Sequence, residues 1–161
     1  MRLLMAALAI ATLALFPARA DHNDPRLARL FAQLGAVRTA PEAAALEGQI
    51  MAIWTRSGSD TVDVLIDRAQ TAVAAQDFAT AKTLLDVIVE MRPGYAQAWF
   101  RRAELLAAMD SQQEAAADLE KALELEPRHF GALVIIGRIA DAAGDKRAAL
   151  AAFRRAVALN P

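Results

Sequence analysis

From Val62 to Pro161 the apolar positions recur every three to four residues, the spacing of an amphipathic helix with one face turned to a core. The recurrence breaks at regular places. Stretches such as "DVLIDRAQTAVAA", "AQAWFRRAELLAA" and "GALVIIGRIADAA" each predict a first helix. After a short polar break, "FATAKTLLDVIVEMRP", "QEAAADLEKALELEP" and "KRAALAAFRRAVALNP" each predict a second. The breaks at Gln76-Asp77, Asp110-Ser111 and Gly144-Asp145 carry residues that favour turns and helix N-caps. Ser111 and Glu114 have the spacing of a capping box.

Pro93, Pro127 and Pro161 are 34 residues apart, and each closes a second helix. Proline has no amide to donate and disfavours helical geometry in the residue before it. The corner Pro127-Arg128-His129 is therefore where one helix stops, and His129 is expected to pack or cap that corner rather than to act chemically. Shifting the chain by the same period aligns small residues at Ala69, Ala103 and Gly137 and at Ala81, Ala115 and Ala149. It also aligns large ones at Leu65, Trp99 and Leu133 and at Leu85, Leu119 and Phe153. Small sites let two antiparallel helices cross closely, and large residues fill the space opposite.

Residues 21–61 precede this array. Leu27, Leu30, Phe31 and Leu34 share one helical face, and Leu46, Ile50, Ile53 and Trp54 share another. Thr39 with Glu42 can begin the second of these helices, and Ser57-Gly58-Ser59 ends it. The segment is read as a helix pair that caps the array or forms a degenerate further unit, with Trp54 in its core.

A 34-residue helix-turn-helix unit ending near a proline resembles the tetratricopeptide repeat. Three units, 62–95, 96–129 and 130–161, carry the resemblance, although Leu65 and Leu133 stand where tryptophan is common. The resemblance implies an all-α fold, a right-handed α-solenoid of antiparallel helix pairs. It also implies a concave groove, lined by first helices, that holds a protein or peptide. Matched positions assign to that groove Ile66, Gln70 and Val73, then Gln97, Phe100 and Glu104, then Val134, Arg138 and Asp141. Phe100 lies about 100° round the helix from Trp99, so it either looks into the groove or packs on a neighbouring repeat. Some family members clamp a C-terminal carboxylate with lysine, arginine and asparagine. Here Ile66 and Gln70 stand where lysine and asparagine are expected, with only Arg101 and Arg138 nearby, so a clamp is not expected.

The first twenty residues change the setting. "MRLLMAALAIATLALFPARA" has a basic start at Arg2, an apolar run from Leu3 to Phe16 and a small-x-small end at Ala18-Arg19-Ala20. That is the layout of a secretory signal, cleaved after Ala20, and the run is shorter than the roughly twenty residues of a bilayer span. Retention as an anchor is the other reading. The alanine- and arginine-rich composition suggests a bacterial source, hence a periplasmic location. Cleavage removes Arg2 and Arg19 and no acidic residue, leaving 16 basic against 19 acidic residues. With no basic stripe, nucleic acid is not expected as a partner.

No cysteine is present, so neither a disulfide nor a thiol nucleophile contributes. Gly-rich phosphate loops and nucleophile elbows are missing. His22 and His129 are too far apart in sequence to form a local metal pair. No enzyme activity, cofactor or metal is expected; a cleaved Asp21-His22-Asn23 terminus could chelate copper or nickel only incidentally. The expected role is a non-enzymatic protein-binding adaptor or scaffold of the cell envelope. Its clients would be envelope assembly machineries or maturing exported proteins. The alternative is a subunit that self-associates through the under-covered end around Val157 and Leu159.

Overall fold

The computed structural model describes residues 24–161. The segment read as an export signal and the Asp21–Asn23 terminus lie outside the described residues. Eight α-helices and no strand occur among them: α1 (Pro25–Leu34), α2 (Ala40–Trp54), α3 (Asp60–Ala74), α4 (Phe78–Met91), α5 (Ala96–Ala108), α6 (Gln112–Leu125), α7 (Phe130–Ala142) and α8 (Lys146–Leu159). The pairs α3–α4, α5–α6 and α7–α8 form three stacked helical hairpins, with α4 against α5 and α6 against α7. None of these helices is long and apolar enough to cross a membrane.

The turn inside each hairpin is built the same way three times. The second residue after each first helix has a left-handed backbone: Gln76 (φ 60°), Asp110 (φ 62°) and Gly144 (φ 84°). That conformation lets the following amide reach back five residues, Asp77 N–H to Ala72 O, Ser111 N–H to Leu106 O and Asp145 N–H to Ala140 O, each 2.9 Å. Asp77 and Asp145 then cap the second helices by accepting from the amides of Thr80 and Ala148. Ser111 occupies the same place but its side chain makes no capping bond, so the expected Ser111–Glu114 box does not form. Its backbone turn already holds the helix start.

At the corners between hairpins the helices end at Met91 and Leu125, two residues before Pro93 and Pro127. Trp99 Nε1 donates to Pro93 O at 2.9 Å. Arg102 joins three helices: it donates from Nε and Nη2 to Asp118 on α6 and from Nη1 to Asp86 on α4, and it lies 5.0 Å from the Trp99 ring centre.

Within the hairpins, the small residues are buried where helices cross. Ala69, Ala81, Ala103, Ala115 and Ala149 are all buried, Ala69 and Ala81 in one core with Leu85 and Ala103 in another with Leu119. The third unit shows the size rule most plainly. Gly137 faces the Phe153 ring so closely that an added Cβ would sit 2.5 Å from Phe153 Cε1 and 2.7 Å from Cδ1. The positions that match them 34 and 68 residues earlier are Ala103 with Leu119 and Ala69 with Leu85, each pair buried in one core. Gly137→Ala should therefore destabilise the chain by about 1–3 kcal/mol through overpacking. Adding Phe153→Leu should recover most of that loss, helped by the roughly 1 kcal/mol advantage of Ala over Gly in a helix. Urea denaturation of the single and double variants checks this; losses that simply add would contradict it.

Candidate functional site

The first helices α3, α5 and α7 carry the nine residues expected to line a groove, and the structure divides them. Ile66, Gln70 and Val73 of α3 meet Glu104 of α5 in a cleft of about 310 Å³. Ala69, Phe78, Leu85 and Leu105 form its apolar lining, with Arg101 on the α5 side. Arg101 Nη1 donates to Glu104 Oε2 at 2.9 Å, so the polar edge of the cleft is internally neutralised. The α7 residues form no part of this cleft. Val134 is half-buried, Arg138 is exposed, and Asp141 accepts from Lys146 Nζ at 2.7 Å.

Gln97 and Phe100 are not groove surface in this structure: they are 2% and 6% exposed. Phe100 packs with Ala103, Leu119, Ala122 and Ala132, which is the neighbouring-repeat arrangement. Gly131 permits it, because a Cβ there would lie 3.1 Å from Phe100 Cζ. The His129 ring lies 4.2 Å from the Phe100 ring centre.

His129 is a structural centre. It is the N-cap of α7, with Nδ1 accepting from the Ala132 amide at 3.2 Å. Nδ1 is thereby the unprotonated nitrogen, so Nε2 carries the hydrogen and donates to Gln97 Oε1 at 3.1 Å. The Trp54 indole stacks on the ring at 4.6 Å and 14°. Beside it, Glu126 accepts from the Arg128 side chain and from the Arg128 amide.

The helix pair α1–α2 has its own small core of Leu27, Leu30, Leu34, Ile50, Ile53 and Trp54. Its docking place differs from a simple cap. Its ring contacts are with the third unit: Trp54 lies 5.4 Å from Phe130, Phe31 lies 6.4 Å from Phe130, and Arg128 stands 5.0 Å over Phe31. Tyr95 Oη donates to Thr55 O at 2.9 Å, and Arg92 Nη2 to Ser57 O at 2.7 Å. The pair thus lies across the α4–α5 and α6–α7 corners, beside the buried end of the expected groove. Periodicity reports which face of a helix is apolar, not which distant corner will cover it, so the sequence held no signal for this placement. Among the described residues, no group of three or more His, Asp or Glu side chains is placed to hold a metal ion.

Three helical hairpins presenting a cleft between first helices define an α-solenoid of helix-turn-helix repeats. Tetratricopeptide-repeat models match residues 96–129 and 130–161. A TPR repeat-containing protein of Rhizobium etli is 34% identical over 136 residues, covering 84% of this chain and 67% of the relative. The chain belongs to the tetratricopeptide-repeat family. Among solved structures it is similar to the Sgt2 TPR domain from Aspergillus fumigatus, with TM-score 0.58, 21% identity, and 62% of this chain against 66% of that one. The TPR2B domain of yeast Sti1 gives 0.58 and 23%, covering 61% and 78%. MamA gives 0.58 and 17%, covering 81% and 74%. The chain thus spans about two thirds of the length of the Rhizobium relative and of the Sgt2 domain.

Burial pushes the His129 imidazole down to about 4; the Glu126 carboxylate opposes this and Arg101 adds to it. The folded state holds His129 neutral, whereas an unfolded chain protonates it near 6.5. Its stabilising contribution is complete above pH 6.5 and is lost progressively as the pH falls from there to about 4, by on the order of 3 kcal/mol. His129→Asn keeps a capping acceptor and removes the titration. Its urea midpoint should be lower than wild type at pH 7 but should fall less between pH 7 and pH 4.5. Parallel falls in the two proteins would place the acid sensitivity elsewhere.

Proposed function

We propose that the chain is a non-enzymatic adaptor that binds a protein or peptide through the α3–α5 cleft, working in the bacterial envelope after export. The observation that carries this reading is the cleft itself. Its lining is apolar, its rim holds Gln70, Arg101 and Glu104, and it lies between the first helices of two successive repeats. Such a site suits an apolar side chain of a partner with main-chain groups at the rim. Relatives of the same fold support the reading: the Sti1 TPR2B domain is in complex with pHsp70. The charged and apolar start of the sequence supports export, and envelope proteins are then the accessible clients.

A second reading is self-association through α8. Leu150 and Val157 are 49% and 60% exposed on its outer face, while Leu159 is half-buried. Arg147 and Arg154 flank that stripe, so two α8 faces brought together would place like charges side by side.

Crosslinked affinity capture of residues 21–161 from envelope extract tests the first reading, with Val73→Asp as the blocked variant. Val73 is exposed, so the variant should fold as wild type. Proteins captured by wild type and reduced at least fivefold by Val73→Asp are the expected result. Equal capture by both would sink the cleft, and recovery of this chain alone with a concentration-dependent mass by light scattering would favour self-association.

A further inference from the structure

We propose that the α1–α2 hairpin is a displaceable cover over the His129 corner, where α5 meets α7 beyond the closed end of the α3–α5 cleft, and that it opens as a unit from folded repeats. The inference concerns the regulation of that cleft, and its functional meaning rests on the binding role argued above. Three independent observations carry it.

The first is continuity along α5. Gln97, Phe100, Arg101 and Glu104 follow one another at helical spacing on the same face. Glu104 and Arg101 border the open cleft. Arg101 also reaches back, its guanidinium 5.9 Å from the Phe100 ring centre. Phe100 and Gln97 contact His129, on which Trp54 of the hairpin is stacked. The open cleft and the seam that His129 closes are two lengths of one α5 face, with the hairpin stacked on the other side of the His129 ring. The nine-residue groove expected from the repeat register is thus open at its α3 side and closed near the hairpin.

The second is the mismatch of the seam. Among the described residues, three buried side-chain nitrogens have no hydrogen-bond partner: Trp54 Nε1, Gln97 Nε2 and Arg101 Nε. All three are donors, one on the hairpin and two on α5. A buried donor without an acceptor costs about 1–3 kcal/mol, so the closed arrangement leaves part of its own surface unsatisfied. The two that stay on α5, Gln97 Nε2 and Arg101 Nε, also state the chemistry of what would fit better. It is a partner segment rich in acceptors, an extended stretch of main-chain carbonyls or a side-chain carboxylate, beside an apolar anchor.

The third is mechanical independence. The hairpin packs mainly on itself, through Leu27, Leu30, Leu34, Ile50 and Ile53. It joins α3 by Thr55–Ser59, which includes Gly58 at φ +71°. Its ties to the repeats include the Trp54 and Phe31 ring contacts, Arg128 over Phe31, Tyr95 to Thr55, and Arg92 to Ser57. Opening would break those contacts while leaving all three repeat hairpins paired.

Native-state hydrogen exchange of residues 21–161 tests the proposal. Amides of residues 27–54 should exchange at least tenfold faster than those of α5 and α6, with the Ala132 amide, capped by His129, loosened alongside them. Trp54→Ala should raise the opening a further tenfold without changing α5 and α6 protection. Trp54→Phe, which keeps an aromatic ring on His129 and removes the orphaned indole N–H, should raise it less. Exchange of α1–α2 in one step with α5–α7, in wild type and in Trp54→Phe, would overturn the proposal, as would Trp54→Ala opening no segment ahead of global unfolding. This readout needs no partner, so an empty capture experiment would remove the binding role of the cleft without bearing on whether the hairpin opens.

Discussion

Each repeat unit depends on one steric bargain: a residue small enough to let two helices cross, facing one large enough to fill the gap. Ala69 with Leu85 and Ala103 with Leu119 make it with a methyl group against a leucine. Gly137 with Phe153 makes it at the limit, the ring resting where a Cβ would otherwise be. Close packing is felt at the level of single methylenes, so these crossings set the tilt of each hairpin. The tilt in turn sets the spacing of α3 and α5, which leaves room for a cleft lined by Ile66 and Val73.

The corners between units do different work. Inside a hairpin, a left-handed residue and a backbone amide reaching back five residues suffice, which is why Gln76, Asp110 and Gly144 serve equally well. Between hairpins the chain needs side chains. Arg102 spans Asp86 and Asp118, Trp99 bonds the Pro93 carbonyl, and His129 caps α7 while joining Gln97. His129 thus has structural work at this corner. Its two nitrogens have opposite tasks, one accepting and one donating, and only the neutral ring can perform both. That requirement, with burial between aromatic rings, links the stability of the corner to acid.

Much of the fold was legible in local residues. The 34-residue spacing of Pro93, Pro127 and Pro161 marks the ends of second helices, because proline removes a donor wherever it stands. The small and large positions align because the same crossing recurs. The candidate site was only partly legible. Ile66, Gln70, Val73 and Glu104 converge as their register suggests. Gln97 and Phe100, at equally correct register, are enclosed by His129, Gly131 and the neighbouring repeat. Register determines the direction in which a side chain leaves its helix, not what another part of the chain brings to meet it.

Taken alone, the sequence determined the helices, their pairing into hairpins and the order in which the hairpins stack, since all three follow from contacts between neighbours along the chain. Tertiary structure alone decided where the N-terminal pair docks. Phe31 meets Phe130 and Trp54 meets His129 although they are far apart along the chain. Such contacts depend on how three tilted hairpins bring their corners into line, and a single aromatic pair at long separation leaves no period to read. The groove is closed at its α5 end by the neighbouring repeat, through His129 and Gly131, with the hairpin stacked behind His129.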